Sequence, residues 1–565
     1  MSLFSSIQLA NNALIGAQIG LQVVGNNIAN ANTPGYLREE VVLAPGQTYR
    51  VGNLLFGLGV DVIGIVQKVD LFLEERLRNS QSDLSNSEAQ EQAYVQLETV
   101  IGELSDTDLS TSLQTFFASI SDVINQPESV SVRNLAVLLG STLSDEIKQL
   151  RQRVDTIRSD FNQRFLDVAG DVNRILREVA DLNIRITTTE GGVTSGSQAV
   201  GLRDQRQLLM SELSKVINIK AVEQTDGSVT IFAGSDYLVF QGLTRDVEVV
   251  QASEDGAPAA NVIVKDTKAA VQSTSGELAG IRTARDEILA GYLDNLDEFA
   301  QTLIFEFNKV YSGGQGQAGF STIQGEFSVS DGTAKLDDAG LQFTPVNGSF
   351  EFHVVNNKTG LRKTEDVFVR LNGLKDDTSI NDIVAQIDAI DGITANLTPT
   401  LELQIIGSGP DVKFTFGKDT SGALAALGIN TFFSGSSASD IDVHETVRND
   451  PGKFAASQNG TGVDVLNALE LARFQDKRLD TAGGATLTGL YDTFTANTAQ
   501  SSAVAQSVAE GFRIFNGTLE GQKLAVSGVS IDEEAIKMIT YQRAFQAAAK
   551  FIKTVSDLLE LLVQL

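Results

Sequence analysis

The chain has 565 residues, and its 72 acidic and 43 basic side chains give it a net charge of −29. A charge of this sign argues against a nucleic acid or an anionic membrane as a partner. The chain contains no cysteine, which excludes a disulfide framework and thiolate metal sites. No apolar run of about eighteen residues predicts a membrane span, and the N-terminus lacks the basic segment of a cleaved signal peptide.

The N-terminal residues carry apolar side chains that alternate steps of four and three along the chain. A period of about 3.5 residues places such side chains on one stripe of a helix, which is the geometry of a coiled-coil seam. The stripe contains Leu3, Ile7, Ala10, Leu14, Ala17, Leu21, Val24 and Ile28. We therefore predict an N-terminal helix that packs through this stripe against another helix.

This helix is predicted to be weak by itself. Gly16, Gly20 and Gly25 each cost a helix interior about 1 kcal/mol relative to alanine. Residues 1–37 contain no charged side chain, Arg38 being the first, and this suits a ring or tube in which every charge would face its own copies. We expect both chain ends to be mobile in the free monomer and to order against neighbouring subunits. The alternative is an amphipathic hairpin that arises by chance.

A turn is predicted directly after the helix, at Thr33, Pro34, Gly35 and Tyr36. Proline in the second position and glycine in the third are typical of a type II turn. The turn is expected to end the helix and redirect the chain. It acts either as a hinge between the inner helices and the outer domains or as a simple helix stop.

A longer heptad pattern in the first half of the chain predicts a long helix that begins near Pro127 or Glu128. Its steps of four and three contain one stutter at Phe161. The apolar positions are Leu143, Ile147, Leu150, Val154, Ile157, Phe161, Phe165, Val168, Val172, Ile175, Val179, Leu182 and Ile186. Partner helices that would complete a bundle are predicted near 70–104, 108–125, 461–478 and 487–525.

Two regions show the period-two alternation of β-strands. The first, 216–265, is predicted to form a small sheet between helices. The second, 320–445, is predicted to form a β-rich outer domain that one helix, Ile380–Ile390, interrupts. Within this domain the tetrapeptide Gly-Ser-Gly-Pro at 407–410 predicts a hairpin between the strands on either side.

The C-terminal helix repeats the pattern of the N-terminal one. Its stripe contains Met538, Tyr541, Phe545, Ala548, Ile552, Val555, Leu559 and Leu562. Because the two stripes agree in period and length, we predict that the chain ends pair as a coiled coil and form the assembly interface of the protein.

Together these elements predict an elongated, multi-domain α+β protein. It would consist of terminal coiled-coil helices, a long helical bundle with a small sheet, and an inserted β-rich outer domain. The domains are nested, since the chain leaves the terminal helices and returns to them. The predicted boundaries are 1–60 with 526–565 for the terminal helical domain, 61–319 with 446–525 for the long-helix bundle including the β subdomain at 216–265, and 320–445 for the outer domain.

Catalytic chemistry has little support in the sequence. His353 and His444 are the only histidines, so a three-histidine metal site is impossible. His444 begins a string similar to HExxH, but Arg448 stands at the second ligand position. The string Gly314–Gly319 matches GxGxxG, yet it follows a predicted helix and no strand. We therefore predict no enzyme, no catalytic residue, no metal site and no cofactor.

Two terminal segments resemble the paired signatures of the bacterial flagellar rod, hook and hook-associated family. They are Gly25–Leu43, which reads GNNIANANTPGYLREEVVL, and Gly528–Leu562, which reads GVSIDEEAIKMITYQRAFQAAAKFIKTVSDLLELL. Three inner stretches, Leu202–Ser214, Leu278–Leu303 and Ala426–Ile441, are similar to the members of that family that join hook and filament.

The resemblance implies a structural component of the flagellum that forms the junction zone between hook and filament. It implies a location outside the cell, reached by flagellar type III export without a cleaved signal peptide. The implied partners are other copies of the chain in a ring, the flagellar hook protein, the second junction protein (hook-associated protein 3), and a cytoplasmic export chaperone that holds the C-terminal helix.

Two alternatives remain from the sequence. Within the same family, the chain would be an unusually long hook-type axial protein. From another class, the region 320–445 would be a secreted carbohydrate-binding or carbohydrate-active module, because the abundant carboxylates leave a glycosidase-type pair open.

Overall fold

The computed structural model describes residues 3–51, 54–102, 108–191, 198–254, 257–374, 376–479 and 481–564. The chain divides into two compact units, each built from segments that are distant in sequence. The first unit comprises Met1–Ala93, Ser159–Ile288 and Ser502–Leu565, and the second comprises Tyr94–Arg158 and Leu289–Ser501. Helices and small sheets occur in both units, which confirms the predicted α+β class.

The helices in the described part of the chain range from a single turn to a length of 61 residues. They are α1 (Leu3–Asn30), α2 (Leu71–Ile101), α3 (Leu109–Asn125), α4 (Val130–Glu190), α5 (Val200–Val216), α6 (Glu277–Thr283), α7 (Ala290–Tyr311), α8 (Ile380–Asp388), α9 (Ala423–Ala426), α10 (Glu445–Asn449), α11 (Leu466–Ala472), α12 (Leu487–Ser527) and α13 (Ile531–Gln564). A π-helical turn (Ala284–Leu289) joins α6 to α7.

The strands are short and lie between the long helices. They are β1 (Glu39–Pro45), β2 (Thr48–Val51), β3 (Leu54–Gly57), β4 (Val60–Gln67), β5 (Lys220–Glu223), β6 (Val229–Ala233), β7 (Asp236–Phe240), β8 (Leu243–Thr244), β9 (Val247–Glu254), β10 (Ala257–Val264), β11 (Thr322–Gln324), β12 (Gly348–Asn356), β13 (Leu361–Val369), β14 (Ile393–Leu397), β15 (Leu403–Gly407), β16 (Val412–Gly417), β17 (Phe433–Ser434) and β18 (Asp442–Val443).

The predicted apolar stripe of α4 is the seam along which this helix is buried. Every member of the stripe is buried except Val168, which is half-buried. The helix begins at Val130, slightly later than predicted from Pro127, because the Ser129 hydroxyl accepts a hydrogen bond from the backbone N–H of Val132 and caps it there.

Three asparagines on α4 anchor strands of the first unit. Asn173 donates to the Val247 carbonyl and accepts from its N–H, both at 2.8 Å. Asn183 makes the same pair of bonds with Val229, and the Asn162 side-chain oxygen accepts from the N–H of Ala260. The spacing of 162, 173 and 183 is close to three helical turns, so all three side chains project from one face.

The predicted helix at 461–478 is much shorter in the structure. Only α11 and a 3₁₀ turn at Phe474–Asp476 are helical there. The Asp464 carboxylate accepts backbone hydrogen bonds from Gln458, Asn459 and Leu466, and this arrangement forms a loop before α11. Side-chain competition for backbone donors therefore overrides the apolar pattern at this point.

The predicted hairpin at 407–410 is wrong. The chain does turn there, but β15 lies between β11 and β14 in one sheet, while β16 pairs with β12 in another sheet whose order is β13, β12, β16. Both edges of β15 are already paired, so the turn passes the chain from one sheet to the next.

The α8 helix starts with a capping box made by Ser379 and Asp382.

An aromatic cluster fills the core of the second unit where α3, α7 and α11 meet. Phe307 is fully buried at its centre, with the Phe116, Phe432 and Phe433 rings at centroid distances of 5.3 to 5.6 Å. Tilted and edge-on rings at this distance attract one another beyond the area that they bury.

The substitution Phe307→Ala should lower the free energy of unfolding of the second unit by about 3–5 kcal/mol, because it leaves a large cavity between packed rings. The measurement is urea denaturation followed by circular dichroism. Phe368→Ala is the matched control, because Phe368 is 53% exposed on β13. Equal losses in the two variants would mean that the cluster contributes no special packing.

Candidate assembly interface

The helices α1 and α13 pack against each other along the two predicted stripes, within the first unit. The members of the α1 stripe are buried (Ala10, Ala17, Val24) or half-buried (Leu3, Ile7, Leu14, Leu21, Ile28). On α13 they are likewise buried (Ala548, Val555) or half-buried (Met538, Tyr541, Phe545, Ile552, Leu559). The side chain of Leu562 lies outside the described residues.

Gly20 is the point of closest approach between the two helices. A Cβ atom added at Gly20 would lie 2.5 Å from the Tyr541 ring, which no real contact permits. A Cβ at Gly25, in contrast, would meet nothing within 4 Å. The helix-weakening effect of Gly20 therefore has a packing reason, since the glycine makes room for an aromatic ring.

The register of the pair follows from two contacts. Gly20 lies against Tyr541, and seven residues later Asn27 donates to Glu534, which is seven residues earlier in α13. The two helices are therefore antiparallel. This register puts Leu14 at the level of Ala547, beside Ala548, so that a large side chain meets small ones.

A buried ion pair joins the two ends of the chain beside this seam. Glu534 has no exposed surface, and its carboxylate accepts from Nε and Nη2 of Arg38 at 2.9 and 2.6 Å. Asn27 adds a third hydrogen bond at 3.0 Å to the other carboxylate oxygen. Arg38 also reaches Glu533, which is 61% exposed. A buried carboxylate without hydrogen-bond donors would raise the free energy of the folded state. The charge-assisted bonds from Arg38 and Asn27 offset this cost.

Asn27 is the centre of this polar cluster. Its side-chain oxygen accepts from the Tyr36 hydroxyl at 2.8 Å and from the Glu39 N–H at 2.9 Å. Its amide nitrogen donates to the Glu39 carbonyl and to Glu534, both at 3.0 Å. All hydrogen-bonding positions of the side chain are filled, as a buried amide requires.

The segment at Thr33, Pro34, Gly35 and Tyr36 carries the chain from α1 into the first strand. The Tyr36 N–H donates to the Thr33 carbonyl at 3.2 Å, and Gly35 has a φ of +79°, a conformation that favours glycine. Just beyond it, the Arg38 N–H donates to the Ser527 carbonyl at the end of α12. The turn is thus tied to α1 through Tyr36 and to the α12–α13 connection through Arg38.

Burial and charge shift several pKa values around this cluster. Burial raises the pKa of Glu534, but hydrogen bonds from Asn27 and Arg38 outweigh it and leave the pKa below its usual value. Burial raises the pKa of Asp204 to about 7, although Gln67 and the Leu37 N–H donate to that carboxylate. Burial likewise raises the pKa of Tyr36.

Sequence reasoning missed Asn27, Arg38, Glu534 and the strands β1 and β4. The signal for the strands is the alternation in Val60–Gln67, and the pairing of β1 with β4 contains a bulge between Val42 and Leu43. The signal for the ion pair is weaker, because a first charge after 37 uncharged residues says nothing about its partner near position 534.

Both histidines have structural roles. His353 is buried in β12, where Nδ1 lies 2.9 Å from the Thr364 hydroxyl and burial lowers its pKa to about 4. His444 caps α10 by accepting the N–H of Thr446. Among the residues that the structure describes, no three His, Cys, Asp or Glu side chains come together as metal ligands. None of the described helices is long and apolar enough to cross a membrane.

Comparison with known proteins gives three family models that match this chain. The "Flagellar hook-associated protein FlgK helical domain" matches residues 94–325. The "Flagella basal body rod protein" model matches residues 7–36, and the "Flagellar basal body rod FlgEFG protein C-terminal" model matches residues 520–565. The two rod models thus fall on the paired helices.

Flagellar hook-associated protein 1 of Escherichia coli (strain K12) is 23% identical over 580 residues, which cover 99% of each chain. The protein of the same name from Bacillus subtilis (strain 168) is 26% identical over 70% of this chain and 86% of its own length. The flagellar hook junction protein FlgK from Burkholderia pseudomallei has the same fold, with a TM-score of 0.53 and 14% identity, over 80% of this chain and 100% of that chain.

The chain is similar to flagellar hook-associated protein 1 along almost its whole length. It is therefore a structural component of the bacterial flagellum, in the part that lies outside the cell, and it is not an enzyme. The matches to the two rod models also indicate assembly with other flagellar components.

The substitution Glu534→Gln should loosen the pairing of α1 with α13 by on the order of 3 kcal/mol, because it leaves the Arg38 charge buried beside a neutral group. Hydrogen exchange of the α13 amides should then be roughly 100-fold faster. Glu533→Gln is the matched control, because the exposed Glu533 makes only one of the contacts to Arg38. A similar acceleration in both variants would contradict a special role for the buried carboxylate.

Asp204→Asn should change the pH dependence of stability. The folded pKa near 7 lies above the ordinary value of 3.8, so the stability that the bound proton contributes is complete below pH 3.8 and is lost as the pH rises through 7. Asparagine keeps the acceptor for Gln67 and has no proton to lose.

Relative to the unsubstituted protein, the Asp204→Asn variant should therefore gain roughly 1–3 kcal/mol between pH 5 and pH 8. Urea denaturation at the two pH values measures this, with Asp181→Asn, an exposed carboxylate on α4, as the control. If the two proteins differ in free energy of unfolding by the same amount at both pH values, the raised pKa of Asp204 is refuted.

Proposed function

We propose that the chain forms the junction zone between hook and filament and polymerises through α1 and α13. The observation that carries this proposal is the antiparallel pairing of helices from opposite ends of the chain. That pairing joins the two segments that the rod models match into one module. Relatives named hook-associated protein 1 along the full length, and a solved relative titled a hook junction protein, support the position in the flagellum.

A second support comes from the face of α13 that points away from α1. Five large apolar side chains on it are 43–67% exposed. They form what we call the outer stripe: Ile536, Ile539, Phe551, Leu558 and Leu561. Exposed apolar patches of this kind mark surfaces that contact other molecules. The outer stripe is therefore the surface that we assign to neighbouring subunits.

A groove between α1 and β4 offers a further surface for assembly. It has a volume of about 1000 Å³ and is lined by apolar side chains such as Ile15, Ile19 and Ile63 together with Asn12 and Asp61. Two separate surfaces on one module, the outer stripe and this groove, allow each subunit to contact more than one neighbour, as a stacked ring requires.

The proposed partners are other copies of the chain, the hook protein on one side and hook-associated protein 3 on the other. Each layer must prefer its two different neighbours, because otherwise the zone would grow without limit. Before export without a cleaved signal peptide, a cytoplasmic chaperone would cover the C-terminal helix and prevent early polymerisation.

We also propose that the turn at 33–36 is a hinge between the terminal domain (1–60 with 526–565) and the remaining domains. Its ties to α1 through Tyr36 and to the end of α12 through Arg38 support this role. A hinge at this place would let the inner helices stay packed while the outer domains follow a curved hook.

Cells that lack the chain should carry hooks without filaments when viewed by electron microscopy. The alternative, a long hook-type protein, requires that such cells have no hook at all. Cells that lack both hook and filament would therefore overturn the junction assignment in favour of that alternative.

In such cells, a copy of the chain with Val555→Asp should fail to restore filaments. Val555 is buried in the seam with α1, and burial of an unpaired carboxylate there costs several kcal/mol, roughly enough to separate the helices. Val346→Asp is the matched control, because Val346 is exposed and lies outside the terminal helices. Restored motility with Val555→Asp would show that the seam is dispensable for assembly.

A further inference from the structure

A polar pocket with no role in the proposed assembly lies in the first unit, between the start of α2, helix α5 and the strands β5 and β6. Its volume is about 540 Å³. Three arginines line it, Arg78, Arg203 and Arg206, against two acidic side chains, Glu75 and Glu223. The lining therefore carries an excess of positive charge in a chain whose net charge is −29.

Arg78 is the least satisfied of the three arginines. Its side chain is on α2 and the residue is only 7% exposed. Among the residues that the structure describes, none places an acceptor or a carboxylate within hydrogen-bond or ion-pair distance of its guanidinium. Glu74, one turn away on the same helix, binds Gln207 and Lys523 instead, at 2.6 and 2.9 Å. Burial accordingly lowers the pKa of Arg78.

Arg206 also has an N–H group without a hydrogen-bond partner among the described residues. Its Nη1 donates to the Asn183 side chain at 2.9 Å and to the Gly227 carbonyl at 2.7 Å. Its Nε is buried and has no partner in the described part of the chain. The guanidinium of Arg203, in contrast, forms ion pairs with Glu190 at 2.7 Å and with Glu223 at 2.5 Å. Two of the three guanidinium groups in the pocket wall therefore have unused N–H donors.

Two other buried arginines show the usual arrangement, whereas Arg158 also has a buried Nε without a partner in the described part of the chain. Arg133 donates to the Phe454 and Pro127 carbonyls, and Arg285 donates to Asp286, Asn162 and a backbone carbonyl. The undescribed residues 192–197, next to the pocket residue Gln198, read Gly-Val-Thr-Ser-Gly-Ser and hold no carboxylate. The missing acceptor for Arg78 is thus not an acidic side chain of that segment.

We propose that this pocket binds a carboxylate group, held by the guanidinium of Arg78. A planar guanidinium matches the two oxygens of a carboxylate, and the partly buried setting strengthens each charge-assisted bond. The carboxylate comes either from a small free anion or from an Asp or Glu side chain of another copy of this chain. The chemistry is the same for both sources, and the experiment separates them.

The probe for a free anion is sodium acetate, added to the full chain and compared with sodium chloride at equal ionic strength. Acetate should raise the Tm of the unsubstituted protein above its value in chloride. Arg78→Met should abolish this rise, and Arg78→Lys should weaken acetate binding by at least about tenfold, because lysine keeps the charge but lacks the fork. Circular dichroism checks that both variants are folded.

The matched control is Arg76→Met, which removes the same charge from an exposed position on α2. It should leave the acetate effect unchanged. If acetate has no effect, sedimentation of the full chain over a range of concentrations tests the second source, because self-association should then weaken by at least about tenfold in Arg78→Met but not in Arg76→Met.

Two results would overturn the proposal. One is that acetate acts no differently from chloride while Arg78→Met self-associates like the unsubstituted protein. The other is that Arg76→Met loses the effect to the same extent as Arg78→Met, which would trace it to general surface charge.

Discussion

The pair of helices α1 and α13, called here the terminal module, depends on the buried contact of Arg38, Asn27 and Glu534. A seam of apolar residues with a seven-residue repeat fits nearly as well after a shift of one heptad, so apolar burial alone does not select one alignment. A shift of α13 along α1 would leave the Glu534 carboxylate and the Arg38 guanidinium buried and unpaired. Because that state is strongly unfavourable, the polar cluster selects one register.

The contact of Tyr541 with Gly20 also selects this register, through steric exclusion. The ring occupies the space that any larger residue in α1 would fill, so only the position with glycine accepts it. Seven residues separate this contact from the polar cluster on each helix. The apolar seam thus supplies most of the buried area, while one polar and one steric contact determine how the helices align.

The long helices and their buried faces could be predicted because their information is local. The period of the stripe in α4 predicts which side chains are buried, and the structure buries them all except Val168, which is half-buried. The Asn27, Arg38 and Glu534 cluster could not be predicted, since its partners are about 500 residues apart and each has an ordinary polar appearance. The prediction of a hairpin at 407–410 is wrong for a related reason. The residues at 407–410 do indicate a turn, but the partner of β16 depends on the strand edges that distant strands already occupy.

The distribution of charge separates the terminal module from the rest of the chain. Residues 1–37 carry no charge, and α13 carries five acidic and four basic side chains, so these two segments hold only one of the 29 net negative charges. Three of the five acids, Asp532, Glu533 and Glu534, lie in the first turn of α13, where the helix dipole favours them. In the proposed assembly, copies that approach one another through this nearly neutral module would experience little mutual repulsion. A near-neutral module of this kind suits the innermost layer of an assembly, where identical surfaces lie closest together.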